Sequence, residues 1–285
     1  MFTGCGTALV TPFNSDGSLD EKTLRRLIGR QIENGVHFLV PCGTTGESPT
    51  LSRDEHLRVV EITVEESRGK VPVVAGAGGY NSREVIELAR EVQALGVDGI
   101  LSVTPYYNKP TQEGLFLHYK AIADAVPLPM IVYSVAGRTG VNVEPATLKR
   151  LAEIENIVAV KEASGLLGQM TRIRAMVPEL VLLSGDDILT SAVLGIGGKG
   201  VISVASNVAP AEMSRLAETN DFSIMARLVS LMDVLFIESN PIPVKAIMAK
   251  MGLLEPVWRL PLCAPAPSTQ LKLEQAIAEL GLANA

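Results

Sequence analysis

The sequence predicts an α/β protein, a (β/α)8 TIM barrel with additional C-terminal helices. Three observations carry that expectation. Eight short runs rich in Val, Ile and Leu begin 20 to 35 residues apart along the 285-residue chain. They lack polar alternation, as strands covered on both faces do. Most gaps between them mix charged and aliphatic residues, and strand–helix alternation at this spacing builds parallel βαβ units with right-handed crossovers.

In order, the runs are Thr7–Pro12, Val36–Pro41, Val71–Gly76, Asp98–Thr104, Pro129–Val135, Ile157–Ala163, Leu180–Gly185 and Gly200–Val204. Between the second and third, Ser52–Ser67 reads as a helix opened by a capping box, with Glu55 three residues after Ser52. Eight units make a closed barrel of about 250 residues, extra helices aside. Residues 1–220 are therefore expected to be barrel. Residues 221–285, with helices over Asp221–Glu238 and Ser268–Leu280, are expected to pack on it as part of one functional unit. Only 4% of residues are aromatic, so aliphatic strands are expected to fill the barrel without rings.

A doubly wound open sheet is the competing architecture. Gly195–Gly200 (GIGGKG) fits G-x-G-x-x-G, but it precedes a strand, whereas a dinucleotide fingerprint follows a strand and opens a helix. Composition narrows the partners. A net charge of −6 leaves no basic footprint for nucleic acid or anionic lipid. The longest charge-free stretch, Met1–Ser15, has 15 residues and is broken by Gly, Pro and Asn, short of a membrane span. The first basic residue is Lys22, and the three cysteines, Cys5, Cys42 and Cys263, have no CxxC spacing. The expectation is a cytoplasmic protein without export signal, disulfide framework or structural zinc.

Chemistry in such a barrel belongs at the C-terminal strand ends. Four of the five tyrosines (Tyr80, Tyr106, Tyr107 and Tyr133) fall there, and only Tyr119 lies in a helix. Lys161 lies inside an apolar strand, on one face with Ala159 and Ala163. A partly desolvated lysine with small neighbours suits Schiff-base chemistry on a carbonyl. The alternative is a lysine paired with a lumen carboxylate or reaching for the barrel mouth. Gly43–Ser48 (GTTGES) offers hydroxyls and tight turns for a small carboxylate or phosphate, or is a plain loop. Arg138 offers a bidentate fork and Tyr133 a phenol for proton transfer, against a surface arginine and a packed ring. Tyr106 and Tyr107, adjacent in extended chain, would point opposite ways, one to the pocket and one to a partner subunit, or simply cover apolar surface. Asp186 and Asp187 read as helix caps before a cation site. His37, His56 and His118 show no metal-ligand spacing, and no cofactor or metal is expected.

GTTGES at Gly43, TPYYNKP at Thr104, YSVAGRTG at Tyr133, VKEASG at Val160, LSGDD at Leu183 and NPIPVK at Asn240 occur in this order. Together they resemble the dihydrodipicolinate synthase family of pyruvate-dependent class I aldolases, over essentially the whole chain. The resemblance implies that Lys161 forms a Schiff base with pyruvate. It implies a proton relay of Thr44, Tyr133 and Tyr107, with Tyr107 reaching in from a neighbouring subunit of a homotetramer. Thr45 would hold the pyruvate carboxylate and Arg138 that of L-aspartate 4-semialdehyde, with Gly185 and Ile202 lining the pocket. The product, 4-hydroxy-tetrahydrodipicolinate, belongs to diaminopimelate and lysine biosynthesis. His56, Gly78, Glu84 and Tyr106 match an interface site that binds lysine in inhibited relatives, whereas Pro49, Arg53 and Tyr80 depart from the usual small residue, His and Asn. Ser134-Val135-Ala136 replaces the usual Asn-Val-Pro. Rival functions are a sister aldolase of the N-acetylneuraminate lyase or ketodeoxygluconate aldolase type, against which Arg138 speaks, and a non-catalytic ligand-binding barrel.

Overall fold

The computed structural model describes residues 2–281. Eight parallel strands are found where the apolar runs predict them: β1 (Gly4–Ala8), β2 (Phe38–Val40), β3 (Val74–Gly76), β4 (Gly99–Val103), β5 (Met130–Ser134), β6 (Ile157–Glu162), β7 (Val181–Ser184) and β8 (Gly200–Ser203). Neighbours pair in sequence order, and β1 pairs with β8. The β2–β3 seam closes the ring through the parallel bridge Leu39–Val73, flanked by hydrogen bonds from Leu39 N to Pro72 O and from Gly76 N to Pro41 O, both 2.9 Å. Both prolines accept here, and neither can donate, which keeps these strands short.

β1 starts three residues earlier than the apolar run suggests. Gly4 and Gly6 make that stretch look like a poor strand, yet space dictates them. A Cβ on Gly6 would lie 2.2 Å from the Phe38 ring, which fills the lumen at that level. Phe2 packs against Phe38, ring centroids 5.9 Å apart, in the same inner cluster as Val74, Leu101, Ile131, Leu183 and Ile202. The expectation of a ring-free lumen is thus corrected at its base, where two phenylalanines plug a volume that short strands leave open.

A larger apolar layer lies between strands and outer helices, with Val160, Val132 and Ile100 facing outward. A third layer joins β1 and β8 to the C-terminal helices through Met213, Leu228, Met232 and Ile247. The helix Arg53–Ser67 carries the expected capping box between Ser52 and Glu55. Phe222–Val234 and Pro267–Leu280 occupy the two predicted extension helices, and a further helix, Ile242–Lys250, lies between them. Residues 282–285 of the predicted extension lie outside the described residues. Gly195 ends a short helix and Gly200 opens β8, so the GIGGKG segment does precede a strand. Among the described residues, no helix is long and apolar enough to cross a membrane.

Candidate active site

Period-two alternation along β6 turns Lys161 inward with Ala159 and sends Val160 and Glu162 outward. Lys161 is 6% exposed, and its Nζ lies 4.2 Å from the ring centroid of Tyr133, its register partner on β5. It joins no ion pair among the described residues. A second lysine shows what a structural one looks like. Lys245 is fully buried, and its Nζ meets Glu47 Oε1 at 2.5 Å. Burial pushes its amine down, against the pull of Glu47. Among the described residues Lys161 is the buried lysine with no carboxylate partner, which is the setting that imine chemistry on a carbonyl requires.

Lys161, Tyr133, Thr44, Thr45, Arg138 and Gly185 share one cavity of about 350 Å³ at the C-terminal ends of the strands. Gly185 is there for clearance, since a Cβ would sit 3.1 Å from Lys161 Cε and 2.6 Å from Ala163 Cβ. Thr45 is buried on the turn after β2, and its Oγ1 accepts a hydrogen bond from Asn240 Nδ2 at 2.9 Å. Glu47 closes that turn in the left-handed region at φ 54°, held by Lys245 and by Arg259 N. Arg138 sits exposed on the short turn Ala136–Thr139, its Nη2 donating to Asn240 O at 3.3 Å. The segment following that turn is tied down from outside the barrel. Asn142 and Gln169 exchange amide hydrogen bonds of 2.8 and 3.0 Å, and Gln169 Nε2 donates to Glu162 Oε1 at 2.8 Å.

Other predicted residues lie apart. Ile202 is in the lumen core below the cavity, and Val204, two residues on, lines it instead. Tyr107 is 90% exposed, at a shallow surface depression that also takes in Arg138 and Gly137. Tyr106 turns the other way, into a second cavity of about 280 Å³ with His56, Gly78 and Arg53. Thr44 and Tyr133 form a wall common to both cavities. Glu84 lies in an adjoining hollow with Tyr80, Gly78 and Tyr106. There Tyr80 stacks edge-on against Tyr106 and Arg53 pairs with Glu91 at 2.6 Å.

The aspartates depart from the capping expectation. Asp186 precedes the 3-10 turn Asp187–Leu189 without a side-chain cap bond and lines the main cavity. Asp187 is buried and caps elsewhere, its Oδ2 accepting from Val204 N and Ala205 N at 2.9 Å each. It thereby fixes the end of β8 from β7. Sequence reasoning gave the extension no part in the pocket, yet Met232, Asp233, Phe236 and Asn240 line it. The NPIPVK motif was the available signal.

Two buried histidines make stability pH-dependent. Burial pushes His56 and His118 down from 6.5 to about 4. His56 Nε2 donates to Gly76 O at 2.9 Å, and His118 Nδ1 lies 2.8 Å from Ser82 Oγ. A depressed histidine favours the fold above its unfolded value, and that contribution is lost as pH falls through the folded one. The pair should therefore cost about 4 kcal/mol between pH 7 and pH 5. Glu162 and Asp187, raised by burial, act in the opposite sense. Urea denaturation at both pH values of the protein and of His118→Gln isolates the effect. The variant should lose about half of the histidine contribution; an unchanged difference between the two pH values would refute it.

A model of the dihydrodipicolinate synthetase family matches residues 1–280. The chain is 54% identical over 288 residues to the 4-hydroxy-tetrahydrodipicolinate synthase of Koribacter versatilis (strain Ellin345), covering 98% of this chain and 96% of that protein. The crystal structure of dihydrodipicolinate synthase from Thermotoga maritima matches with TM-score 0.96 at 44% identity, covering 99% of each chain. That of the enzyme from Cyanidioschyzon merolae with lysine bound matches with TM-score 0.95 at 42% identity, again covering 99% of each.

Proposed function

The chain belongs to the dihydrodipicolinate synthetase family, and on that premise we propose that it condenses pyruvate with L-aspartate 4-semialdehyde on Lys161 to give 4-hydroxy-tetrahydrodipicolinate. The observation that carries this reading is the unpaired amine of Lys161 beside Tyr133, in one cavity with Thr45 and Arg138. Lys161 Nζ adds to C2 of pyruvate and water leaves, giving an imine. Loss of a C3 proton gives the enamine, whose carbon attacks the aldehyde. The substrate's own amine then adds to C2 and expels Lys161, closing the ring.

Thr45 takes the pyruvate carboxylate, and the Arg138 fork takes that of the semialdehyde. Tyr133 and Thr44 move the protons, joined by Tyr107 from a neighbouring copy. The 90% exposure of Tyr107 on its own chain supports that exchange, within a homotetramer working in the cytoplasm. His56, Gly78, Glu84 and Tyr106 are assigned to a lysine-responsive site, supported by the cavity walled by Thr44 and Tyr133. Diaminopimelate and lysine biosynthesis is the pathway served.

Treatment with pyruvate and borohydride, followed by mass analysis, should show one reduced pyruvyl adduct. A coupled assay should then show turnover with L-aspartate 4-semialdehyde and none in sugar-acid aldol cleavage. Turnover only of the sugar acid would favour a sister aldolase, and the absence of any adduct a binding barrel. Arg138→Ala should raise the KM for the semialdehyde on the order of 10–100-fold, the cost of a charge-assisted pair, while still trapping pyruvate. Unchanged aldehyde kinetics would remove Arg138 from this role.

A further inference from the structure

Asn240 stands where the C-terminal extension returns to the barrel mouth, and no step above uses it. It is 6% exposed and lines the main cavity. Its two observed bonds run to the two carboxylate binders. Nδ2 donates to Thr45 Oγ1 at 2.9 Å, and the main-chain oxygen accepts from Arg138 Nη2 at 3.3 Å. Its Oδ1 is buried with no partner among the described residues. Nothing else in the described structure holds the amide, so its orientation serves the Thr45 hydroxyl. An unpaired buried acceptor costs stability, and native structures tolerate it where it serves a purpose.

We infer that Asn240 is a positioning residue that sets the polarity of Thr45 and the reach of Arg138, and so couples the sites for the two substrate carboxylates. A hydroxyl has one hydrogen and two lone pairs. With a lone pair of Oγ1 taken by the Asn240 amide, the Thr45 hydrogen is left to donate into the cavity, and a carboxylate can only accept. The same residue steadies Arg138 through its carbonyl, leaving the rest of the fork for the second substrate. The inference rests on the proposed reaction and adds a residue to it.

Asn240→Asp keeps the shape and replaces the donor with an acceptor. It should draw the Thr45 hydrogen to itself and set a negative charge beside the pyruvate carboxylate. The KM for pyruvate should rise about 30-fold or more, with kcat falling far less and the imine still trapped at saturating pyruvate. Asn240→Ala should raise that KM about tenfold, and in a Thr45→Val background it should add almost nothing, because the shared bond is already gone. Circular dichroism melts check folding, and Asn240→Ser replaces any variant that fails to fold. Wild-type pyruvate affinity in Asn240→Asp, or the same KM increase from Asn240→Ala in both Thr45 backgrounds, would overturn the inference. A wild-type protein that traps no pyruvate would instead overturn the reaction itself.

Discussion

Lys161→Ala should yield a folded protein that no longer forms a borohydride-stable adduct with pyruvate. Its turnover should fall by about 10⁴-fold or more, the scale of deleting a covalent nucleophile. Folding should survive because the side chain lies between Ala159 and Ala163 on its face and joins no ion pair among the described residues, so no partner is left unpaired. Lys161→Arg separates charge from nucleophilicity, since it keeps the cation beside Tyr133 and cannot form the imine. Both variants should be equally dead. An adduct that persists in either, mapped by peptide mass to Lys245 or elsewhere, would end the assignment.

The buried pair behind the Gly43–Ser48 loop should give the largest stability effect. Lys245→Met leaves the Glu47 carboxylate buried without its cation and should cost about 3–5 kcal/mol. The double variant Glu47→Gln/Lys245→Met should regain most of that, because the buried charge goes with its partner. Urea denaturation measures both, and a double variant no more stable than the single one would refute the account. Activity should respond too. Glu47 is held in a left-handed backbone conformation directly after the turn carrying Thr44 and Thr45, so loosening it should weaken pyruvate binding before it unfolds the barrel. The Phe13 ring, with Lys245 Nζ at 4.4 Å and Arg259 Cζ at 4.2 Å from its centroid, braces the same corner.

The strands were legible because burial on both faces leaves aliphatic runs that recur at regular intervals along the chain. Lys161 was legible because a lysine breaks such a run. The start of β1 was not, because Gly4 answers to the His37 ring and Gly6 to the Phe38 ring, each some 30 residues away, rather than to local propensity. Asp187 looked like a local cap, but its hydrogen-bond partners lie 17 and 18 residues on. Local rules see neighbours in sequence, whereas Asp187 bridges neighbouring strands. Asn240 escaped for the same reason, with 195 residues separating it from Thr45. At the end of β8, Ile202 packs into the lumen cluster and Val204 stands in the cavity wall, a division that period-two alternation alone does not distinguish.

Besides Thr11, which donates to Gly46 O, the clamps on the Gly43–Ser48 loop come from far along the chain: Asn240 on Thr45, and Lys245 and Arg259 on Glu47. Ser203, the last residue of β8, precedes Arg259 by 56 positions. At translation speeds of about 5–20 residues per second those positions take roughly 3–11 seconds to add. For that interval a nascent chain holds all eight strands while the Gly43–Ser48 loop lacks its full set of fastenings, so the loop is completed only after the barrel strands have been made. A truncated product ending before Asn240 would contain every strand and Lys161 itself and still be inert.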